Sequence, residues 1–480
     1  MNLDVSVEPL REELRACYRP LRHAVFGAHA PMLRVRDAVW AEMEAFAAAH
    51  PRAASWTLKA RLHTLIAEHF EPVLLAHSPF FYEMGLRPAE NWGNPTGTMG
   101  GTAPLVAEWL LRRGIDRART HPAYAQIRRF GPGEGGLAIA HESIFDFDHH
   151  ALGSTHLLEV GVNGLLDEID ERRSRPMTAE QASWLDAAAE SCRAVVRIAA
   201  RFAEAAEAAP AQKGDATDAT VAHFAMIAET ARRVPAEPPR TFYEGLAALW
   251  FLREVAATLE GIGISVIGHL DRQLGALYEA DLATGRLTEA GARDLLARWL
   301  LPTDVKFFVD ESSWPETSTC IEIGGCDDDG APIFNGLTRL ILDVHAELDL
   351  LNPKLQCRYS ARSPRAYLDL LSEHVLRGRN VFSLLNDDVL IPACMWAGKS
   401  EAEARRYVNG GCQETIVEGV EHSAGAYYYF NMPRVLDLCM QPGSLRDAEL
   451  IAEIAEGDER DESAEIAGSA GLAPFPWTLS

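Results

Sequence analysis

Short apolar runs alternate with helical patterns in the second half of the chain, from about residue 300 onwards. The runs VKFFVD, CIEIGG, TRLILDVH, PKLQCRYS and NVFSLL are short, apolar and separated by turn residues, as strands are. Between the last two, an apolar stripe with helical spacing follows Ser363 and Pro364 and stops at Gly378. Strands and helices in alternation build a parallel sheet that is covered on both faces. The sequence therefore predicts an α/β fold with functional residues on loops at the strand ends.

The first half of the chain has a different, helical character. Ala-, Leu- and Glu-rich segments are interrupted there mainly by the glycine-rich WGNPTGTMGGTAP (92–104). A second helical block covers about 154–258, in which Thr178 and Gln181 form the T-x-x-Q pattern of a capping box. We therefore expect a largely helical region before the sheet.

The composition argues against nucleic-acid and membrane partners. The 480 residues include 45 Lys and Arg against 69 Asp and Glu, a formal charge of −24, and no segment concentrates basic residues with aromatic ones. A hydrophobic content of 48% is ample for a buried core. The chain starts without an apolar leader and has no run of about 18 apolar residues. We expect a soluble, cytoplasmic protein whose eight cysteines are free thiols.

Four segments resemble ligand-binding motifs but lack parts of them. DFDHH (146–150) offers possible metal ligands without a facing second pair. GGCDDDGAPIFNG (324–336) lacks the spacing and the terminal glutamate of a calcium loop, and its pair Asp329 and Gly330 is typical of a hairpin turn. The glycine-rich GEGG and GTMGG lack the Gly-Lys-Ser/Thr ending of a phosphate-binding loop. We therefore expect no bound metal.

The segment YVNGGCQETIVEG (407–419) places a cysteine after two glycines and a glutamate two positions beyond it. A cysteine is most often a buried structural residue. Gly410 and Gly411, however, remove side chains that would hold the backbone away from a ligand. At an extended tip, residues two positions apart point the same way, so Cys412 and Glu414 would face one pocket.

A sulfur and a carboxylate in one pocket suit one kind of cysteine chemistry better than another. A thiolate nucleophile needs a cationic neighbour that lowers the pKa of the thiol, whereas Glu414 would raise it. A neutral thiol that works by hydrogen-atom transfer has no such conflict, because the carboxylate then serves as general base for the substrate radical. The pair Cys412 and Glu414 therefore favours radical chemistry over a cysteine hydrolase.

Several longer segments resemble, in order and spacing, the glycyl radical enzymes of the pyruvate formate-lyase superfamily. These segments are RRVPAEPPRTFYEGLAALWFL (232–252), GISVIGHLDRQLGALYEADLATGRLTEAGARDLLARWL (263–300), IEIGGCDDDGAPIFNGLTRLIL (321–342), LNPKLQCRYS, LLNDDVLIPACMWAGKSEAEARRYVNGGCQE and AYYYFNMPRVLDLCM (426–440). The resemblance extends from about residue 60 to 440. The Gly-Cys-x-Glu form is similar to the eliminating branch, which includes diol and choline-type lyases, sulfite lyases and hydroxyproline dehydratase, and to some arylacetate decarboxylases.

The resemblance implies an N-terminal helical region followed by roughly the first half of a ten-stranded α/β barrel with a central cysteine finger loop. Cys412 would become the thiyl radical that abstracts hydrogen from a small substrate, and Glu414 would take or relay a proton during elimination. His149 falls at the histidine of a G-H-x-x-x-D-Y segment of the family, and Tyr429 lies just past the finger. Both are therefore expected to contact the substrate.

The chain departs from the family pattern at three places. Thr415 replaces the proline that commonly follows the glutamate. Gly153 and Ser154 replace the Asp-Tyr of the family segment, so the carboxylate that some lyases aim at the substrate hydroxyl is absent unless Asp146 or Asp148 substitutes. The chain also stops at PFPWTLS, before the family's second half-barrel and radical glycine. We expect a second polypeptide to supply both, and a radical S-adenosylmethionine activase to install the glycyl radical under anaerobic conditions.

These expectations define four segments and three hypotheses. The segments are a helical amino-terminal region (1–110), a mainly helical region around the barrel (111–260), a half-barrel with the finger loop (261–440), and an acidic segment with an apolar end (441–480). The leading hypothesis is the thiyl-bearing subunit of a split glycyl radical lyase or dehydratase, with no cofactor bound directly to this chain. The alternatives are a glycyl radical decarboxylase of a small carboxylate and a non-radical binding or regulatory descendant of the family.

Overall fold

A computed structural model describes most of the chain and divides it into two compact units. The described residues are 6–19, 30–86, 105–106, 109–110, 113, 138–140, 150–212, 217–260, 265–307, 319–379, 381–410, 414–421, 428–430, 432–433, 436 and 440. The first unit lies within residues 1–112 and 145–423, and the second lies within residues 113–144 and 424–480.

The helices fill the early part of the first unit and then alternate with its strands. Their bounds are α1 (Glu8–Tyr18), α2 (Ala30–Ala49), α3 (Ser55–His69), α4 (Ser154–Arg173), α5 (Ala179–Gln212), α6 (Asp218–Ala231), α7 (Phe242–Glu260), α8 (Leu270–Ala283), α9 (Glu289–Phe307), α10 (Gly336–Glu347), α11 (Arg365–Leu376), α12 (Asp387–Trp396) and α13 (Glu401–Arg405). At the start of α5 the predicted capping box is confirmed, because Gln181 N donates to Thr178 Oγ1 (3.1 Å) and Thr178 N donates to Gln181 Oε1 (3.0 Å).

Within the described ranges, the strands form three separate sheets. Their bounds are β1 (Ala138–Ala140), β2 (His150–Ala151), β3 (Ser265–His269), β4 (Cys320–Gly324), β5 (Lys354–Tyr359), β6 (Phe382–Asn386), β7 (Tyr407–Asn409), β8 (Thr415–Val417) and β9 (Tyr428–Phe430). In the second unit, β1 pairs with β9 in antiparallel orientation. In the first unit, β7 pairs with β8 in antiparallel orientation, and β2 to β6 make a five-stranded sheet.

The five-stranded sheet is parallel throughout and follows the chain order β2-β3-β4-β5-β6. Each strand therefore reaches its neighbour through a crossover, and helices occupy these crossovers: α4 to α7, then α8 and α9, then α10, then α11. The runs CIEIGG, PKLQCRYS and NVFSLL are the consecutive strands β4, β5 and β6. The other two apolar runs are not strands: TRLILDVH lies in α10, and the described part of VKFFVD ends α9. The predicted parallel α/β arrangement is confirmed, and the sheet is part of an α/β barrel.

The apolar residues of the central strands point to one face of the sheet. Ile321 and Ile323 of β4 and Leu355 and Cys357 of β5 are fully buried. Because side chains alternate along a strand, the residues between them point to the opposite face, and several of those are polar. That opposite face carries the candidate site.

The helical region packs through aromatic side chains. Phe70 lies 5.6 Å from Phe202 and Phe81 lies 5.3 Å from Phe251, measured between ring centroids. The buried indole of Trp299 in α9 donates to Leu246 O of α7 at 2.8 Å. Such contacts hold the helical region together.

The segment 327–331 is a tight turn, as predicted from its sequence. Asp327 N donates to Ala331 O (2.9 Å), and Asp327 Oδ1 accepts from the amides of Asp329 (3.0 Å) and Ala331 (2.7 Å). Gly330 has a φ of 79°, which favours glycine. Asp327 Oδ1 thus accepts hydrogen bonds from backbone amides within the turn.

Strand β6 is an edge of the described sheet and exposes apolar side chains. Leu384 is 51% exposed, although the run NVFSLL predicts a buried strand. The adjoining helices α11 and α12 also expose apolar side chains, among them Leu376 (86%) and Trp396 (90%). We call Leu376, Leu384, Val389 and Trp396 the edge patch.

Candidate active site

The predicted finger is a β-hairpin made of β7 and β8. Tyr407 pairs with Val417, and Asn409 pairs with Thr415. Beyond the last pair, Gly410 N donates to Glu414 O at 2.7 Å and closes the base of the tip. We call residues 407–417 the finger hairpin. Residues 411–413, which include Cys412, lie outside the described residues.

The finger hairpin packs its apolar side chains on the sheet. Val408 and Ile416 form one buried cluster with Ala151 of β2, Val266 of β3 and Cys320 of β4. The hairpin therefore lies across the inner face of the first three strands of the sheet.

Polar side chains of β4 and β5 hold the backbone of β7 and Gly410, which together we call the incoming limb of the hairpin. Glu322 Oε2 accepts from Asn409 N at 2.7 Å, and Cys320 Sγ donates to Asn409 O at 3.2 Å. Gln356 Nε2 donates to Gly410 O at 3.2 Å. Arg358 binds the backbone oxygen of Tyr407 in this limb and that of Arg405 just before it, as described next. We call Cys320, Glu322, Gln356 and Arg358 the cradle; all four are 0% exposed.

Arg358 is a buried cation whose hydrogen-bond donors are bound by the protein itself. Its Nε and Nη2 donate to the two carboxylate oxygens of Asp387 at 2.9 and 3.0 Å. Its Nη1 donates to Tyr407 O (2.9 Å) and its Nη2 to Arg405 O (3.1 Å). Burial disfavours its charged form, but Tyr407 and Asp387 raise its pKa, so the guanidinium stays charged.

Glu322 is a buried acid in the middle of β4. Burial raises the pKa of Glu322 to about 8, while Arg358 and the Asn409 amide oppose this rise and the carboxylates Asp387 and Asp271 add to it. Glu322 is therefore largely protonated at neutral pH. Its Oε1 is buried and has no hydrogen-bond partner among the described residues.

The thiol of Cys320 is held neutral and lies near Glu414. Burial raises the pKa of Cys320, and the carboxyls of Glu322 and, more weakly, Glu414 raise it further. The carboxyl of Glu414 thus belongs to the same group of side chains as the cradle, as its place at the end of the tip requires. This environment suits neutral thiols rather than thiolates.

We call β8 and the two residues after it, Glu418 and Gly419, the outgoing limb. Its end is fixed to the start of α4. Glu418 Oε1 accepts from Thr155 N (2.7 Å) and from the Ser154 hydroxyl, and Glu418 Oε2 accepts from Thr155 Oγ1 (2.7 Å). Gln273 of α8 also donates to Glu418 Oε1 at 3.2 Å. A carboxylate at a helix N-terminus is favourable because amide groups there lack partners within the helix. Glu418 therefore locks the outgoing limb to α4.

Gly153 and Ser154, which replace the Asp-Tyr of the family segment, both contact the end of the outgoing limb. Ser154 donates to Glu418, and Gly153 lies against Gly419, whose φ is 70°. A Cβ on Gly419 would lie 3.0 Å from the Cα of Gly153. The Gly-Ser pair thus serves to dock the finger hairpin, which the sequence interpretation did not anticipate.

The structure describes two of the four predicted site residues. Glu414 lies at the end of the tip, next to the cradle, while Tyr429 lies in β9 of the second unit, opposite Ile139. His149 and Cys412 lie outside the described residues, as do Asp146 and Asp148. The sequence interpretation missed Glu322, Arg358 and Glu418; the signal that was available for Glu322 is a lone acid within the buried run CIEIGG.

The described residues include one group of possible metal ligands and no helix that could span a membrane. One group of possible metal ligands is present there, Glu42, Glu68 and His69 on α2 and α3, and His69 Nε2 is already within 2.7 Å of Glu42 Oε1. Both glutamates are exposed, as acidic surface groups commonly are. None of the described helices combines the length and the hydropathy needed to cross a membrane.

Relatives with assigned activities share part of this sequence. Isethionate sulfite-lyase of Nitratidesulfovibrio vulgaris is 30% identical over 231 residues, which are 46% of this chain and 27% of that enzyme. Trans-4-hydroxy-L-proline dehydratase of Clostridioides difficile is 30% identical over 288 residues, which are 58% of this chain and 36% of that enzyme. The matched part of the chain thus spans about a third of the length of these relatives.

Solved structures share the fold. A glycyl radical enzyme from Archaeoglobus fulgidus superposes with a TM-score of 0.71 at 22% identity, over 90% of this chain and 58% of the other. Hydroxyproline dehydratase from Clostridioides difficile superposes with a TM-score of 0.67 at 21% identity, over 86% of this chain and 58% of the other.

A family model places the site within a known group of proteins. The model, described as pyruvate formate lyase-like, matches residues 146–461, a range that contains the β2–β6 sheet, the cradle and the finger hairpin. The resemblance noted in the sequence is confirmed by this match and by the relatives. The chain belongs to the pyruvate formate lyase-like family.

Proposed function

We propose that the chain is the thiyl-bearing part of a glycyl radical lyase or dehydratase that acts on a small substrate. The observation that carries this proposal is the finger hairpin itself: its tip is closed by the bond between Gly410 and Glu414, and its backbone is held by the buried cradle. Relatives of this chain are named as sulfite-lyases and dehydratases. A rigid support for one cysteine and one carboxyl suits radical elimination.

In the proposed reaction Cys412 and Glu414 have separate roles. Cys412 would lose its thiol hydrogen atom to a glycyl radical, installed by a radical S-adenosylmethionine activase, and become a thiyl radical. The Cys412 sulfur takes a hydrogen atom from a substrate carbon that bears a hydroxyl and becomes a thiol again. Glu414 takes the proton of that hydroxyl, and the neighbouring carbon releases its leaving group with the bonding pair. Glu414 then passes the proton to the leaving group. The product radical takes the hydrogen atom back from Cys412, which regenerates the thiyl radical.

The hydrogen bonds of Arg358 in the cradle argue against the alternative that the chain is part of a decarboxylase. A substrate carboxylate would need a buried cation with donors to spare, and Arg358 is the cation of the cradle. Its donors are directed to Asp387 and to the carbonyls of Arg405 and Tyr407. Arg358 therefore does not support carboxylate binding, and we favour elimination.

The edge patch supports the proposal that a second polypeptide completes the barrel. An edge strand with unpaired backbone groups and exposed apolar side chains is a liability unless another strand covers it. Leu384 on β6 and Trp396 on α12 are placed to be covered in this way. We infer that the second polypeptide pairs with β6 and carries the radical glycine, and that the complex works in an anaerobic cytoplasm.

Electron paramagnetic resonance tests the proposed function. The chain is co-expressed with the second polypeptide and the activase, and the spectrum is recorded anaerobically with a panel of small hydroxylated and sulfonated substrates. We expect a glycyl radical doublet and product formation with the wild type. We expect the Cys412→Ser variant to keep the doublet but to lose product formation, and Glu414→Gln to lower kcat by about 100-fold or more. Product formation by Cys412→Ser at the wild-type rate would sink the mechanism.

A further inference from the structure

We propose that Glu322 is a positioning residue for Cys412, because its carboxyl fixes the finger hairpin at the amide of Asn409, three positions before the sulfur. This inference rests on the proposed function of Cys412, but the contact on which it depends does not. Glu322 does not touch the reacting atoms in this role; it acts through the backbone of the incoming limb.

The contact is made where the tip begins. Asn409 is the last residue of β7, and both of its backbone groups are bound by β4: the N–H by Glu322 Oε2 and the C=O by Cys320 Sγ. The next carbonyl, of Gly410, is bound by Gln356 of β5. Glu322 therefore holds the last residue of β7 and Gln356 holds the carbonyl that follows it, so any loosening at Asn409 is passed towards Cys412.

Glu322 differs from the rest of the cradle in its chemistry. Cys320, Gln356 and Arg358 donate to backbone oxygens of the limb, whereas Glu322 accepts from a backbone amide. An apolar side chain at position 322 would leave the Asn409 amide buried and unpaired, since Asn409 is only 1% exposed. The acceptor at this position is therefore required for the limb to stay in place.

Charged groups surround Glu322 from several elements. Arg358 reaches it from β5, Asp271 from α8 and Asp387 from α12, and His269 lies beside it on β3 in the sheet register. His269 Nε2 is engaged with Gly324 O at 2.8 Å, and Arg358 is shared with Asp387. A neutral carboxyl fits this setting, which already contains two buried aspartates, better than a further buried anion, and it still accepts the amide hydrogen bond.

Hydrogen exchange followed by mass spectrometry, with fragmentation to single residues, tests the contact in the full chain as purified. Glu322→Gln keeps an oxygen acceptor of the same length, and Glu322→Met keeps the volume without an acceptor. We expect the Asn409 amide to exchange about tenfold faster in Glu322→Met and within about twofold of wild type in Glu322→Gln. If Glu322→Met does not fold, Glu322→Asp replaces it, because the shortened carboxyl no longer reaches the amide.

Asp304→Leu is the matched control. Asp304 is another buried acid that accepts two backbone amides, those of Leu351 (2.9 Å) and Asn352 (3.0 Å), away from the finger hairpin. We expect Asp304→Leu to speed exchange at Leu351 and Asn352 and to leave Asn409 unchanged. Unchanged exchange at Asn409 in Glu322→Met, or equal acceleration in Glu322→Gln, would overturn the proposal.

Kinetics of the activated complex then separate positioning from stability. We expect Glu322→Met to lower kcat at least tenfold with little change in KM, and Glu322→Gln to restore most of kcat. Equal kcat in both variants, with the Asn409 contact confirmed by exchange, overturns the positioning role. If Asn409 exchange responds as expected but no variant or wild-type complex shows radical activity, the proposed function fails while the contact stands.

Discussion

At the scale of single residues, a buried acid is the most informative side chain of the described site. Glu322 lies on the central strand of a parallel sheet, where apolar residues are the rule. Burying its carboxyl beside the incoming limb of the finger hairpin removes that group from water, which is unfavourable. The hydrogen bond from the Asn409 amide offsets part of this desolvation cost.

The titration of Glu322 gives the free energy of unfolding a particular pH dependence. Between its ordinary pKa of 4.5 and its folded value of about 8, the folded chain holds a proton that the unfolded chain has released. Stability from this group is therefore full below pH 4.5 and is lost as the pH rises towards 8. As the pH rises over this range, we expect the free energy of unfolding of Glu322→Gln to increase relative to that of the wild type by at most about 1.4 kcal/mol per pH unit.

Urea unfolding at half-unit pH steps from 5 to 9 checks this expectation. Glu322→Met is the control, because it also lacks the titrating group and should show the same pH trend from a lower starting stability. A difference between wild type and Glu322→Gln that stays constant with pH would contradict a raised pKa for Glu322.

At the scale of elements, the two limbs of the finger hairpin are held by different means. The incoming limb is bound through its backbone by the cradle, while the outgoing limb is bound through the side chain of Glu418 to the start of α4. Gly419 N also donates to Ala151 O of β2 at 3.2 Å. Both limbs of the hairpin are thus bound, the incoming one to β4 and β5 and the outgoing one to β2 and α4.

The close approach of Gly419 to Gly153 predicts a costly substitution. Gly419→Ala places a methyl group 3.0 Å from the Cα of Gly153 at a φ of 70°, so we expect a loss of about 2 kcal/mol in the free energy of unfolding. Gly285→Ala is the matched control, since Gly285 has the same φ of 70° and no atom within 4 Å of the added methyl. We expect about 1 kcal/mol for this control.

Urea denaturation of both variants separates conformational strain from steric contact. The excess loss in Gly419→Ala measures the contact between the outgoing limb and the start of α4. Equal losses in the two variants would show that the Gly153 contact contributes nothing.

The sequence predicts local features of this fold better than long-range ones. The alternation of strands and helices follows from neighbouring residues, whereas the finger is what the family resemblance implies. Glu322 could not be assigned, because its partner Asn409 is 87 positions away and the pairing depends on which face of β4 the finger covers. The exposure of Leu384 was mispredicted for a similar reason: whether a strand lies at an edge depends on pairing, not on its own composition.

At the scale of the whole molecule, the edge patch predicts how the chain associates. We expect the double variant Leu384→Lys and Trp396→Glu to abolish co-purification with the second polypeptide, because charges replace the apolar side chains that would be buried. Trp184→Glu on α5 is the control, as Trp184 is 38% exposed and lies outside the patch.

Pull-down with a tagged second polypeptide, followed by light scattering, measures this association. The control variant should bind as the wild type does. Retained binding by the double variant would place the interface elsewhere on the chain.

The open edge of β6 also has a consequence for how the cell must make this protein. Among the described residues the sheet ends at β6, beside an indole that is 90% exposed. A newly synthesised chain with such an edge binds chaperones and tends to aggregate until the edge is covered. Synthesis in step with whatever covers the edge would shorten this vulnerable period. Overproduction of the chain by itself should therefore fill inclusion bodies, and matched expression should clear them.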